Sequence, residues 1–280
     1  MIQLKQLHFG YDRQPLFANM NLSLPDGGIY GLLGKNGVGK TTLLKLMAGL
    51  RYAQSGDCQV FGKHTVGRPV SLLADLFYLP EEFGLPDVTP DQYERLYAPF
   101  YPRFDTVCFK ETMDRFELNR GTTLHKFSFG QKKKFILSFG LATRCRLMLL
   151  DEPTNGLDIP SKSQFRKALV SAFSDDRLII ISTHQARDLE SIIDAVIILD
   201  GGKIIFNESI QNVQDRLCIR FEEHRPDSQN ALHVETIPGG YAVVYPNGDQ
   251  DETDIDLEIL FQTVVSDPLR IADVFDDRLS

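Results

Sequence analysis

The sequence predicts an α/β protein built around a parallel sheet, and two observations predict it. The first is a set of short apolar runs at 147–150, 178–181 and 196–199, separated by helix-like stretches. Runs apolar at every position suit strands covered on both faces, and their alternation with helices implies crossover connections. The second is the stretch Gly34-Lys35-Asn36-Gly37-Val38-Gly39-Lys40-Thr41, which fits the pattern G-x-x-x-x-G-K-[ST]. A strand-like run, 29–33, precedes it and a helix-like run, 42–48, follows. Strand, glycine loop and helix in that order are the context in which this pattern binds phosphate.

The elements follow in order. Residues 1–25 alternate in the strand manner, and Pro25-Asp26-Gly27-Gly28 is a turn signal before the loop strand. A second β-rich stretch runs from about 56 to 79. From 81 to about 127 the chain reads as helices broken by Pro86, Pro90, Pro99 and Pro102. From Ser128 onward helices and apolar strands alternate to about 207–211, where the character shifts. The remainder carries strand-like runs at 218–221 and 241–245 around the turn Pro238-Gly239-Gly240, and ends on a helix-like segment at 257–265. These shifts divide the chain into a main unit, 1–211, with a helical part at about 82–140, and an accessory region, 212–280.

Bulk properties narrow the function. A net charge of −8 and a pI near 5.3 argue against a broad nucleic-acid footprint, which needs a basic face. The run Lys132-Lys133-Lys134 is short and reads as a solvated helix face. The four cysteines, Cys58, Cys108, Cys145 and Cys218, lack the close spacing of zinc or redox pairs and read as reduced thiols of a cytosolic protein. No basic-then-apolar leader opens the sequence. No apolar stretch approaches the roughly 20 residues needed to cross a bilayer, so any membrane role runs through a partner.

The loop residues carry specific chemistry. The glycines let the backbone wrap a phosphate with its N–H groups pointing inward, and the helix start adds a partial positive charge. Lys40 reaches the β- and γ-phosphates, and the Thr41 hydroxyl can take one Mg2+ position. The run 147–150 ends in Asp151 and Glu152. In a parallel sheet that end opens at the ligand crevice. Asp151 is placed to hold Mg2+ directly or through water, and Glu152 to polarise a water for attack on the γ-phosphate. The run 178–181 leads likewise through Ser182 and Thr183 to His184, which can hydrogen-bond the same phosphate.

In this order the motifs resemble the nucleotide-binding subunits of ATP-binding-cassette (ABC) transporters. The phosphate loop comes first, then Tyr78-Leu79-Pro80-Glu81-Glu82, then Phe127-Ser128-Phe129-Gly130-Gln131. Asp151-Glu152-Pro153, Asn155-Gly156-Leu157-Asp158 and His184 follow. The resemblance covers 1 to about 207. It is strongest to single-cassette subunits of the ABC-2 type, on the phrases 31–37, 78–82 and Phe100-Tyr101-Pro102-Arg103-Phe104-Asp105.

The resemblance implies a P-loop NTPase fold: a parallel sheet core, an antiparallel β subdomain, a helical subdomain and a small C-terminal α+β extension. It implies an ATPase using ATP and Mg2+, paired head to tail as a homodimer or with another cassette. The dimer would drive a separate integral membrane permease from the cytoplasmic face of the membrane, with no nucleic-acid partner. ATP contacts would come from Gly34 through Thr42. Ser128, Gly130 and Gln131 would meet the γ-phosphate held by the other protomer, and the 155–158 loop would cross between protomers. Tyr11 matches the aromatic that stacks on adenine, at a scale of roughly 1–3 kcal/mol per stacked base; it reads equally as a strand residue facing the core.

Two residues depart from the family pattern. Glu81 stands where glutamine is usual. It can bind Mg2+ but cannot donate an amide hydrogen bond. Phe129 stands at the first glycine of the signature, where its ring either points outward or tightens or blocks the ATP-bound dimer. These departures motivate a second reading, a nucleotide-gated binding module with weak hydrolysis. A soluble ABC ATPase acting on DNA or ribosomes is a third; the acidic charge and single cassette argue against it.

Overall fold

The computed structural model describes residues 2–12, 14–226, 230–248 and 254–276. Met1, at the start of the first strand-like stretch, lies outside them, as do 227–229, 249–253 and 277–280 of the accessory region.

Strands β1 (Ile2–Tyr11) and β2 (Gln14–Leu24) form an antiparallel hairpin, with Ile2 opposite Leu24 and Tyr11 opposite Gln14. After β3 (Gly28–Leu33) and α1 (Lys40–Met47), β4 (Ser55–Val60) and β5 (Lys63–His64) extend that hairpin into a sheet of order β2-β1-β4-β5. The stretch 56–79 is therefore not one β unit. The short helix α2 (Val70–Leu73) interrupts it, and β6 (Leu76–Leu79) leaves for a different sheet. The reason is the partner: β6 pairs in parallel with β7 (Leu147–Asp151), residue for residue from Leu76 to Leu79.

Two helices occupy the proline-punctuated region, α3 (Pro90–Tyr97) and α4 (Thr106–Arg115), and α5 (Phe129–Ala142) follows it. The prolines sit at helix starts and connections. Pro90 opens α3, where a missing N–H costs nothing, behind a capping box in which Thr89 Oγ1 accepts from Gln92 N at 3.3 Å and Thr89 N donates to Gln92 Oε1 at 2.9 Å. The helices meet over an aromatic cluster. Phe139 lies 5.0 Å from Tyr93, 5.0 Å from Phe104 and 6.0 Å from Phe109, and is 1% exposed.

Then come α6 (Ile159–Ala172), β8 (Leu178–Thr183), β9 (Ala195–Asp200) and β10 (Lys203–Ser209). The central sheet has the order β10-β9-β3-β8-β7-β6, parallel except at the β10 edge. Both faces are covered. Leu147, Leu149, Leu178, Ile180, Ile197 and Leu199 pack with α1 and the antiparallel sheet. Met148, Leu150, Ile179, Ile181, Val196 and Ile198 pack with the helical part and α6. That is why these strands lack alternating polarity in the sequence.

The chain closes with α7 (Ile210–Arg216), β11 (Leu217–Glu222), β12 (His233–Ile237), β13 (Gly240–Pro246), α8 (Leu257–Ser266) and α9 (Pro268–Phe275). The three strands form an antiparallel sheet of order β11-β13-β12. Leu257, Leu260 and Val264 of α8 join the same core as the helical part. All four cysteines are free; Cys58, Cys145 and Cys218 are buried and Cys108 is half-buried. Burial pushes the Cys58 thiol up to about 11 and the Cys145 thiol up to about 12. Among the described residues no helix is long and apolar enough to cross a membrane.

Truncating Phe139 to alanine removes the ring on which α3 and α4 converge. We expect a loss of about 3–5 kcal/mol in unfolding free energy, read from urea denaturation. A loss under about 1 kcal/mol would mean that the aromatic cluster does not hold this region together.

Candidate functional site

The C-terminal ends of β3, β7 and β8 lie side by side, because Leu33 pairs with Thr183 and Asp151 with Ser182. Each strand delivers its functional residues to this edge. From β3 the chain enters the glycine loop and then α1. Gly39 caps α1 with φ +113°, a conformation that side chains resist, and a Cβ there would lie 2.8 Å from the Phe17 ring. The loop needs a residue without a side chain at that point.

Lys40, the first residue of α1, is buried. Its Nζ donates to Gly34 O at 2.7 Å and Lys35 O at 3.3 Å and lies 3.9 Å from Glu152 Oε1. Burial holds its pKa below the usual lysine value, against the opposing pull of Glu152, Asp151 and Glu81. Lys35, Asn36 and Gly37 are exposed, and Val38, Gly39 and Thr41 are half-buried. Thr42 is buried and its Oγ1 lies 3.1 Å from the Tyr11 hydroxyl.

Asp151 ends β7 and is 1% exposed. Its Oδ1 accepts from Ser182 Oγ at 2.6 Å, while its Oδ2 is buried with no hydrogen-bond partner. An ionised carboxylate oxygen only accepts, so this orphan fits a cation or a cation-bound water. Thr41 stands at the start of the helix that leaves the same edge, so the donor set present suits Mg2+.

Glu152 adopts φ +47°, a left-handed backbone uncommon for a side chain of this size. Its N–H donates to Ser182 O at 3.1 Å and Ser182 Oγ at 3.2 Å. The turn aims its carboxylate at His184, whose Nδ1 donates to Oε1 at 2.9 Å. Glu152, His184 and Lys40 thus form one contact group. With Nδ1 committed to Glu152, His184 has Nε2 left for a second partner. To donate there as well, the ring must carry both protons.

Tyr11 is 46% exposed, so it does not face the core. Phe9 meets its ring edge-on at 5.1 Å, and the Arg51 guanidinium lies 5.7 Å from its centre. Glu81 is exposed and accepts from Asn155 Nδ2 at 2.9 Å, which joins the 78–82 loop to the 155–158 loop. Ser128 caps α5 in a second capping box, with its Oγ accepting from Gln131 N at 3.2 Å and its N donating to Gln131 Oε1 at 3.0 Å. Among the described residues no hydrogen bond joins Ser128, Gly130 or Gln131 to the glycine loop. Phe129 packs partly against its own chain. It is 49% exposed, its ring sits 6.4 Å from that of Phe83, and a Cβ on Gly156 would come within 2.7 Å of it. With Gly156 at φ +77°, a side chain there would be strained and would require this ring to shift.

The basic run does not form a solvated face. Lys132 and Lys134 are half-buried and Lys133 is 0% exposed, with Nζ donating to Glu152 O at 2.7 Å and Asn155 O at 3.1 Å. Its acceptors lie 19 and 22 residues away, so neighbouring sequence gave no sign of them. The accessory region also reaches the site. A cavity of about 490 Å³ opens between Gly34, Lys35 and His184 on one side and Phe221, Ile237 and Ile259 on the other.

A strand–loop–helix phosphate cradle, with an acid pair on the next strand but one and a histidine on the strand between, defines a P-loop nucleotide-binding ATPase. The sequence profile described as ABC transporter matches residues 17–155. The chain is 28% identical over 283 residues to the ABC transporter ATP-binding protein YtrB of Bacillus subtilis, covering 98% of this chain and 97% of that protein. An ATP-binding subunit of an ABC transporter superposes with a TM-score of 0.69 at 23% identity, over 76% of this chain and 92% of its own. The ATP-binding cassette MJ0796, a dimer in a post-hydrolysis state bound to ADP and Pi, superposes at 0.66 and 20% identity, over 75% of this chain and 99% of its own. The chain belongs to the ABC transporter family and is its ATP-binding, ATP-hydrolysing subunit.

Ser182 serves Asp151 and Glu152 at once. Ser182→Ala leaves the buried Asp151 Oδ1 without its partner, while the Glu152 N–H keeps the Ser182 carbonyl, for a loss of about 1–3 kcal/mol by urea denaturation. An unchanged midpoint would show that neither bond contributes.

Proposed function

We propose that this chain closes as a head-to-tail dimer around two ATP molecules and that its hydrolytic cycle drives a separate integral membrane permease from the cytoplasmic face. The observation that carries the reading is the contact group of Lys40, Glu152 and His184 beside the glycine loop, with Glu152 Oε1 at 2.9 Å from the imidazole and 3.9 Å from the ammonium.

In this reading the N–H groups of 34–39 and the start of α1 cradle the phosphates. Lys40 turns from its loop carbonyls to the β- and γ-phosphates, and Thr42 lies under the cradle beside Tyr11, whose exposed ring receives adenine. Thr41, Asp151 and Glu81 would hold Mg2+, which would supply charge neutralisation for the phosphates. Glu152 accepts the proton of the attacking water, and His184 steadies that carboxylate while its second nitrogen faces the γ-phosphate. Phosphoryl transfer asks for this kind of positioning and electrostatic support. Ser128 and Gln131, exposed at the start of α5, and the half-buried Gly130 meet the ATP of the other protomer, in keeping with their separation from their own loop. MJ0796, a cassette of the same fold, is known as a dimer holding ADP and Pi, which fits this arrangement.

We divide the chain into a catalytic unit, 1–211, and an accessory region, 212–280, at a boundary in the first turn of α7 (Ile210–Arg216), and the helical stretch 81–127 offers the permease its docking surface. The ABC-2 likeness favours export. The intact Glu152–His184 contact favours turnover over a gated module that only binds.

General-base assistance is worth ~10²–10⁴-fold. Glu152→Gln therefore cuts phosphate release by at least about 100-fold while leaving ATP binding intact. Lys40→Ala loses ATP binding itself. Full turnover in the glutamine variant, measured on the purified chain with Mg-ATP, would remove Glu152 from its role.

A further inference from the structure

We propose that Lys133 is a positioning residue for hydrolysis: from the helix that begins at Ser128, it holds the backbone on which Glu152 is mounted and ties that helix to the loop at Asn155. The proposal rests on the reading of Glu152 as the base.

Lys133 lies one turn into α5, so it moves with Ser128 and Gln131. It is fully buried, which a lysine tolerates only when its ammonium is well satisfied. An ammonium has three donors. Two of them reach Glu152 O at 2.7 Å and Asn155 O at 3.1 Å, and the face of Phe129 lies 5.4 Å from the same nitrogen. Both acceptors are neutral carbonyls, so this is a clamp on the main chain rather than an ion pair.

The clamp falls where the main chain needs one. Glu152 sits at φ +47°, a conformation that persists only when its surroundings enforce it. Ser182 holds the Glu152 N–H, and Lys133 holds the Glu152 carbonyl. With both ends of the residue fixed, the carboxylate stays on His184 at 2.9 Å. Asn155 extends the connection, since its amide donates to Glu81. One chain of contacts therefore runs from Glu81 through Asn155 and Lys133 to Glu152, joining three of the motifs to the helix that carries the signature. The charge has a use as well. Burial holds the Lys133 pKa below the usual lysine value, against the opposing pull of Glu81, Glu152 and Asp151. Lys40 and Lys133 are the two buried lysines among the described residues, set against three carboxylates in a site that must accept a triphosphate.

The test uses the full-length chain with Mg-ATP, phosphate release for kcat and KM, a fluorescent ATP analogue for affinity, and a melting curve on every variant. Wild type and Glu152→Gln come first; if wild type does not hydrolyse ATP, or the glutamine variant keeps full rate, the reading of the site fails. With those in place, Lys133→Met should lower kcat by about 10–100-fold, the scale of a displaced catalytic group, while KM and analogue affinity stay within about twofold. Lys133→Arg, which keeps charge and donors, should recover most of the rate. Lys133→Gln, neutral and shorter, should resemble Met. A wild-type kcat in the Met or Gln variant overturns the proposal while leaving Glu152 in its role. So does a fall in affinity as large as the fall in kcat, or an arginine variant no better than methionine. If neither Met nor Gln variant folds, Lys133 serves the core rather than turnover, and the proposal fails as well.

Discussion

The site depends on one constraint, the in-register parallel pairing of β3, β8 and β7. With Leu33 beside Thr183 and Ser182 beside Asp151, three chain segments distant in sequence end flush at one edge. A slip of a single residue in any of these pairings would turn its side chains to the opposite face and separate the glycine loop from the acid pair. The apolar residues on both faces prevent that slip, since Leu147 and Leu149 fit one core and Met148 and Leu150 the other. Catalytic geometry here is a by-product of packing on two sides of a sheet.

Around that edge the structure uses main-chain capture more than ion pairing. Lys40 and Lys133 both donate to carbonyls, and Ser182 satisfies a peptide N–H and a carboxylate together. The surface ion pairs, such as Arg187 with Glu258 at 3.0 Å, lie where water and salt weaken them. That pair, with Leu257 N donating to Glu190 at 3.1 Å, fastens the start of α8 to the segment that follows His184. The accessory region is thus attached to the main unit next to the active edge.

Much of this was legible in the sequence, because the decisive signals are local. The glycine loop, the acid pair after an apolar run and His184 after another each carry their chemistry and their strand end in fewer than ten consecutive residues. The resemblance added Tyr11, Glu81 and the signature. What the sequence hid depends on contacts across many residues. Lys133 reads as one of three solvated lysines until α5 turns it toward carbonyls at 152 and 155. β6 reads as continuous with β4 until its pairing with β7 separates them. Strands β10 and β12 alternate weakly and pass unnoticed, being fixed by the hairpin to β9 and by the shared partner β13.

The distribution of sulfur has a practical side. Three of the four thiols are sealed inside the fold, and two of these are held protonated far above neutrality. A maleimide or nitroxide reagent therefore meets one half-open target, Cys108 on α4. The wild-type molecule comes with a built-in attachment point for a reporter on its helical part, and no cysteine has to be engineered in or out to use it.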